Sequence, residues 1–296
     1  MRGLGLDDLA AFAAIARHRS FRRAAVERGV SASTLSQTLR DLEARLDVRL
    51  LNRTTRSVAL TEAGARLLER LGPALSEISV AVDAVQAERG APVGRLRINA
   101  PEPAVELVLG PMIAPFLAAY PQVELEIVAQ TELIDIVAGG FDAGVRWDES
   151  LAMDMVAVPI SGPQRYAVVA SPELIARVGT PRTPEDLLTR PCIRLRFPSG
   201  LQPAWEFERD GRVLNLDPPA RLTCGSPHTQ VRAALDGVGF LSTFEGYVRD
   251  QVAAGQLVRV LEDWLPAFPG PFLYYPSRRH VPAALRAFID FARVRT

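Results

Sequence analysis

Lysine is missing from this chain: every one of its 34 basic residues is arginine. That bias reflects a GC-rich coding sequence rather than a chemical need. Cysteine is nearly missing too. Cys192 and Cys224 are the only two, too few for the disulfide framework of a small secreted domain. The three histidines, His18, His228 and His280, lie far apart and lack the spacing of metal ligands. No uninterrupted apolar run has the roughly 20 residues of a membrane span. The N-terminus, MRGLGLDDLAAF, has no basic segment followed by a long apolar one, as an export signal requires. Catalytic signatures are absent as well. Ser226 has no GxSxG context, and Gly237-Val238-Gly239 opens no phosphate-binding helix. These shortages predict a soluble, cytoplasmic protein that is not an enzyme, has no membrane partner and holds no metal or cofactor. Cys192 and Cys224 read as structural thiols, with redox sensing as the competing reading.

What is present is a full apolar complement, 48% of 296 residues, enough for one small and one medium domain. The formal net charge is zero but unevenly spread. Residues 1–65 hold eleven arginines against seven acids, a balance of +4 that leaves −4 for the remainder. A basic head on an acidic body suits a head that meets a polyanion.

The head reads as short helices. Leu6, Leu9, Phe12, Ile15 and Ala16 recur at helical spacing, with Asp7 as the expected cap. Ser20 opens a second helix, with Phe21, Ala24, Ala25 and Val26 as its apolar side, and Gly29 ends it. Ser31 opens a third, SASTLSQTLRDLEARL, with Leu35, Leu39, Leu42 and Leu46 inward. Two helices joined by a tight glycine-containing turn form a helix-turn-helix. RLLNRTTRSVALT then suits a small β-wing. Residues 61–89 read as one long helix whose Leu68, Leu71, Leu75, Ile78, Val82 and Val85 alternate spacings of three and four. That is a coiled-coil seam and favours a partner helix, the alternative being a stripe packed on its own domain. A kink or restart is expected at Gly72-Pro73.

ERGAPVG (88–94) is a linker by composition. Beyond it strands and helices alternate: RLRINA, a helix PAVELVLGPMIAPFLAAY, VELEIVA, a short helix IDIVAGG, and DAGVRW. Strands RYAVVAS, PCIRLRF, ARLTCG, GFLS and PFLYYPS follow, with helices at SPHTQVRAALDG and near 281–293. This βαβα order implies parallel strands covered by helices.

The segment SFRRAAVERGVSASTLSQTLRDLEARLDVRLLNRTTRSVALTEAG (20–64) resembles the LysR-type transcriptional regulators. DIVAGGFDAGVRW, YAVVASPELI, ALDGVGFLS and LYYPSRRHVPAALRAFIDF extend the resemblance over nearly the whole chain. It implies a winged helix-turn-helix at 1–60, a linker and dimerisation helix at 61–92, and an α/β effector domain at 93–296. That domain would resemble the type 2 periplasmic binding proteins, with lobe one at about 93–163 and 268–296, lobe two at about 164–267, and a cleft between. The expected function is sequence-specific transcription regulation controlled by a small-molecule effector. The expected partners are double-stranded DNA, the effector, further copies in a homodimer or homotetramer, and RNA polymerase. The alternative is a solute-binding protein without a DNA function, against which the N-terminal helix-turn-helix counts.

A recognition helix shows its N-terminal side chains to base edges in the major groove. Gln37 is the candidate for direct readout, since its amide matches adenine. Arg40 reaches phosphate or guanine. Ser31, Ser33, Thr34 and Ser36 donate to phosphates, and Ser31 also caps the helix. Arg53 and Arg56 flank the wing turn, and the resemblance places Arg56 in the minor groove. Members of the family often carry Gln and Pro where this chain has Ala32 and Ser33, so its target preference should differ. In the body, ligands bind where strands end and helices begin. The candidate effector residues are Pro101, Thr131, Phe197, Ser199, Ser226 and His228, each with an ordinary cap or turn role as the competing reading. Glu102 already occupies a helix N-terminus, which makes the cleft less welcoming to a strong anion.

Overall fold

The computed structural model describes residues 5–53, 58–87, 92–130, 135–137, 139–147, 155–276 and 281–294. The head comprises helices α1 (Leu6–His18), α2 (Phe21–Arg28) and α3 (Ala32–Leu46), followed by β1 (Leu51–Arg53) and β2 (Val58–Leu60). Its core gathers Phe12, Ile15, Ala24, Ala25, Leu35, Leu39 and Leu42. Ala24 is fully buried, so α1 and α2 approach closely where a larger side chain would hold them apart. Gly29 ends α2 in the left-handed region, at φ 64°, and its N–H returns to Ala25 and Val26 carbonyls. The wing strands pair antiparallel, with Leu51 opposite Leu60 and Arg53 opposite Val58. Two expectations change here. Helix α1 starts at Leu6 after Gly5, with no side-chain cap, so Asp7 sits in the first turn instead. Val26 faces solvent at 79% exposure, because Ala24 and Ala25 already fill the narrow space against α1 and α3.

Helix α4 (Glu62–Ala87) runs unbroken through Pro73. No restart is seen, because packing on both sides of Pro73 holds the helix. Leu71 is buried in the head's own core, and Leu67, Leu68 and Leu75 pack beside it. The first half of the expected seam therefore belongs to its own domain. Ile78 is 43% exposed, and the side chains of Val82 and Val85 lie outside the described residues. Gly64 sits so close to the Leu50 carbonyl that any Cβ there would collide with it.

The body follows: β3 (Gly94–Ala100), α5 (Glu102–Ala104), a π-helical turn Val105–Leu109, α6 (Gly110–Ala119), β4 (Val123–Ala129), β5 (Ala143–Arg146) and β6 (Met155–Pro159). The π turn follows from Pro111, whose missing N–H cannot continue the ordinary ladder. Gly110 instead donates five residues back, to Val105. Although Glu102–Ala119 has a mean hydropathy of 1.3, its Ala104, Val108, Leu109, Met112 and Phe116 lie in the core of this lobe, and it is a core helix. The described part of IDIVAGG forms turns rather than a helix.

The chain then crosses to β7 (Tyr166–Ala170), α7 (Pro172–Val178), β8 (Cys192–Leu195), β9 (Trp205–Arg209), β10 (Arg212–Leu216), β11 (Ala220–Cys224), α8 (Pro227–Leu235), β12 (Phe240–Phe244), α9 (Arg249–Ala253) and β13 (Val258–Val260). It returns for β14 (Phe272–Pro276) and α10 (Ala283–Arg293). Two five-stranded sheets result, ordered β4-β3-β5-β14-β6 and β11-β8-β12-β7-β13. Each is mixed, not purely parallel. Strand β14 runs antiparallel to β5 and β6, and β7 antiparallel to β12 and β13. The antiparallel members arise because the chain crosses between lobes twice. At the crossing, Gln164 and Phe268 exchange backbone hydrogen bonds of 2.8 and 2.9 Å.

Candidate DNA-reading face and effector cleft

Leu35, Leu39 and Leu42 bury one side of α3, which leaves the opposite side to solvent. Ser31 caps the helix: its Oγ accepts from the Thr34 N–H at 3.0 Å. The same oxygen lies 2.7 Å from Ser33 Oγ and 2.8 Å from Thr34 Oγ1. One turn on, Arg40 Nη2 donates to Gln37 Oε1 at 2.7 Å, and Gln37 Nε2 donates to Asp41 Oδ1 at 2.7 Å. Ser33, Thr34, Gln37, Arg40 and Asp41 are all exposed.

Ser36 and Arg53 meet each other, with Arg53 Nη1 donating to Ser36 Oγ at 3.3 Å. Arg53 also pairs with Glu43 at 3.0 Å and lies 5.0 Å above the Phe21 ring. Glu43 in turn accepts from the backbone N–H groups of Leu50 and Leu51. This network pins the root of the wing to α3. Arg56 lies outside the described residues.

The head rests on lobe one of its own chain. Arg17 and His18 both pair with Glu27, at 3.0 and 2.5 Å. The Arg17 guanidinium lies against Gly140, where an added Cβ would come 3.0 Å from Arg17 Nε. Arg97 donates to the Gly140 carbonyl at 2.7 Å, while Arg95 and Arg97 each bind Glu126 at 2.6 Å. Burial, together with nearby Arg97 and Arg95, lowers the Arg17 pKa against the pull of Glu27. Burial acts to raise Glu27 and Glu126, but their arginine partners, with His18 beside Glu27, hold both below the usual carboxylate value.

Between the lobes, the ends of β5 and β12 bring Trp147 and Phe244 together at 5.0 Å between ring centroids. Tyr166 and Phe268 extend the stack towards the crossing. His228, at the start of α8, pairs with Glu106 of the opposite lobe at 3.2 Å. Arg146 is 1% exposed and donates to Asn99 Oδ1 at 2.7 Å and to the Gln130 carbonyl at 3.4 Å. The Trp147 indole N–H and the Tyr247 hydroxyl are buried without a hydrogen-bond partner among the described residues. Burial raises the Tyr247 pKa, and the Glu106 and Glu102 charges raise it further.

The expected effector residues divide. Pro101 is buried and precedes α5, and His228 stands at the lobe boundary. Ser226 caps α8 through the Thr229 N–H at 3.4 Å. Phe197 and Ser199 hold their own turn, through bonds to Leu201 and Gly200. Thr131 lies outside the described residues. Trp147, Tyr247 and Glu106 are not singled out by the sequence; only DAGVRW ending on a tryptophan at a strand tip points there. Asp41 was also passed over, although its spacing of four from Gln37 places both on one helix face.

Cys192 is fully buried, which pushes its thiol up to about 12. Cys224 is half-buried, and both are free thiols. Among the described residues no three His, Cys, Asp or Glu side chains gather as a metal site.

A winged helix-turn-helix whose third helix offers hydroxyls, an amide and a guanidinium, joined to a two-lobed α/β body, defines a DNA-binding regulator. Residues 6–65 match the bacterial regulatory helix-turn-helix of the lysR family, and residues 89–295 match the LysR substrate binding domain. The chain belongs to the LysR-type transcriptional regulators, which bind DNA and small-molecule effectors and are not enzymes. It is 39% identical over 290 residues to the HTH-type regulator YcaN of Escherichia coli, covering 98% of this chain and 95% of that one. PgrR of the same organism is 37% identical over 284 residues, covering 96% and 95%. The full-length virulence activator AphB of Vibrio cholerae superposes with a TM-score of 0.66 at 25% identity, covering 98% and 99%.

Proposed function

We propose that this regulator reads its operator through the exposed side of α3, with Gln37 on a base edge, Ser31, Ser33 and Thr34 on phosphates, and Arg40 on phosphate or guanine. Ser36 and Arg53 brace the wing beside the phosphates, and Arg56 enters the minor groove. The effector lies between the lobes, against Pro101, Thr131, Phe197, Ser199, Ser226 and His228. Glu102 and Glu106 favour an uncharged or cationic effector over a strong anion. The protein works in the cytoplasm as a homodimer or homotetramer joined through α4, with RNA polymerase as its downstream partner. The observation that carries this reading is the polar, solvent-facing side of α3, held rigidly by three buried leucines.

The test is titration of variants on operator and scrambled duplexes at several salt concentrations. Gln37→Ala should cost about 1–3 kcal/mol on the operator and much less on scrambled DNA. Arg56→Ala should weaken both and reduce the salt slope by about one. Equal losses for Gln37→Ala on both duplexes would mean that Gln37 positions the helix and reads nothing.

A further inference from the structure

We propose that Asp41, together with Arg40, clamps the Gln37 amide and fixes which way it faces the DNA, so that Asp41 governs specificity without touching a base. The inference rests on Gln37 as the base reader.

Residues 37, 40 and 41 are i, i+3 and i+4 on α3 and share one exposed face. Arg40 Nη2 and Asp41 Oδ1 each lie 2.7 Å from an opposite end of the amide. Chemistry leaves this amide a single orientation. A guanidinium only donates, so it must face Oε1; an ionised carboxylate only accepts, so it must face Nε2. Turning the amide by half a rotation would set donor against donor and acceptor against acceptor. With both bonds made, Oε1 keeps one lone pair and Nε2 keeps one hydrogen. That remaining pair is the complement of the adenine N6–H and N7 edge. An amide locked in one polarity distinguishes A·T from T·A, whereas a freely turning one adapts to other base edges. The helix beneath is equally fixed, since Leu39 and Leu42 are fully buried on its far side.

Asp41 also carries a charge that repels phosphate. Its removal should therefore have two effects of opposite sign: tighter binding to any DNA and poorer discrimination. A residue that merely stabilised α3 would produce neither.

The experiment selects binding sites from a randomised duplex library with the full-length protein, for the parent and for Gln37→Ala, Asp41→Ala and Asp41→Asn. Individual duplexes are then titrated, and circular dichroism checks that each variant is folded. Asn offers an oxygen acceptor in the same place without the charge. Asp41→Ala should broaden the motif at the position that Gln37→Ala broadens, with about a tenfold loss of discrimination there, while binding scrambled DNA more tightly than the parent. Asp41→Asn should also bind more tightly but keep the motif. A motif broadened by Gln37→Ala and untouched by Asp41→Ala would overturn the clamp alone. Equal broadening by Asp41→Asn and Asp41→Ala would overturn it too, by making charge the cause. A motif unchanged in Gln37→Ala would remove the base-reading role and the clamp together.

Discussion

The reading face and the cleft treat their polar groups in opposite ways. On α3, Ser31, Ser33, Thr34, Gln37, Arg40 and Asp41 hydrogen-bond to one another at the surface. In the cleft, Trp147 and Tyr247 each bury a polar hydrogen that meets no acceptor among the described residues. Exposed groups could have relied on water, yet they bond to one another; if DNA is their partner, as proposed, that order reduces the entropy lost on binding. Buried groups cannot use water, and each unmade bond costs about 1–3 kcal/mol. The first region is set in advance. The second is held at a cost that a ligand, or an opening of the lobes, would relieve.

Four variants and one titration probe this contrast. The largest effect should come from Ile78→Glu, which separates the regions. If a second copy covers Ile78, a buried charge there costs several kcal/mol. Light scattering should show monomer, and operator binding should fall, while thermal shifts from an effector found by metabolite screening stay unchanged. An intact oligomer would place the dimer contact elsewhere. Next come two substitutions that each delete one hydroxyl, with opposite signs. Ser31→Ala removes a helix cap and should destabilise by about 1 kcal/mol. Tyr247→Phe removes a buried hydroxyl that has no partner among the described residues and should raise the melting temperature of the effector-free protein by a stabilisation of about 1 kcal/mol. A fall in melting temperature with Tyr247→Phe would show that the hydroxyl is satisfied and the contrast false. The smallest effect is in acid. Glu27 and Glu126 are held below the ordinary carboxylate value of 4.5 in the folded protein. Their stabilisation is therefore complete above that value and is lost as pH falls through the folded values. Thermal melts from pH 6 towards pH 3 should show a loss that Glu126→Gln reduces.

The head was largely legible in the sequence because its signals are local. Gly29 ends a helix in a conformation few other residues adopt, Ser31 caps the next, and the leucines of α3 repeat at helical spacing. The long helix was legible as a helix but not in its use: a stripe of leucines looks the same whether a partner or the chain's own head covers Leu71 and Leu75. The cleft was the least legible. Trp147 meets Phe244 across 97 residues of sequence, and no local pattern encodes such a pairing. The hairpin β9–β10 was also missed, although its Asp210-Gly211 turn is a signal of the expected kind.

Strand β5 joins three places at once. All four of its residues are buried, and it is hydrogen-bonded to β3 on one side and β14 on the other. Just before it, Gly140 supports Arg17 of the head; just after it, Trp147 meets lobe two. Four residues span roughly 13 Å in an extended strand. Ala143 and Gly144 pair with β3, and Gly144, Val145 and Arg146 with β14, so one short, buried strand separates the loop that seats the DNA-binding head from the tryptophan at the lobe boundary.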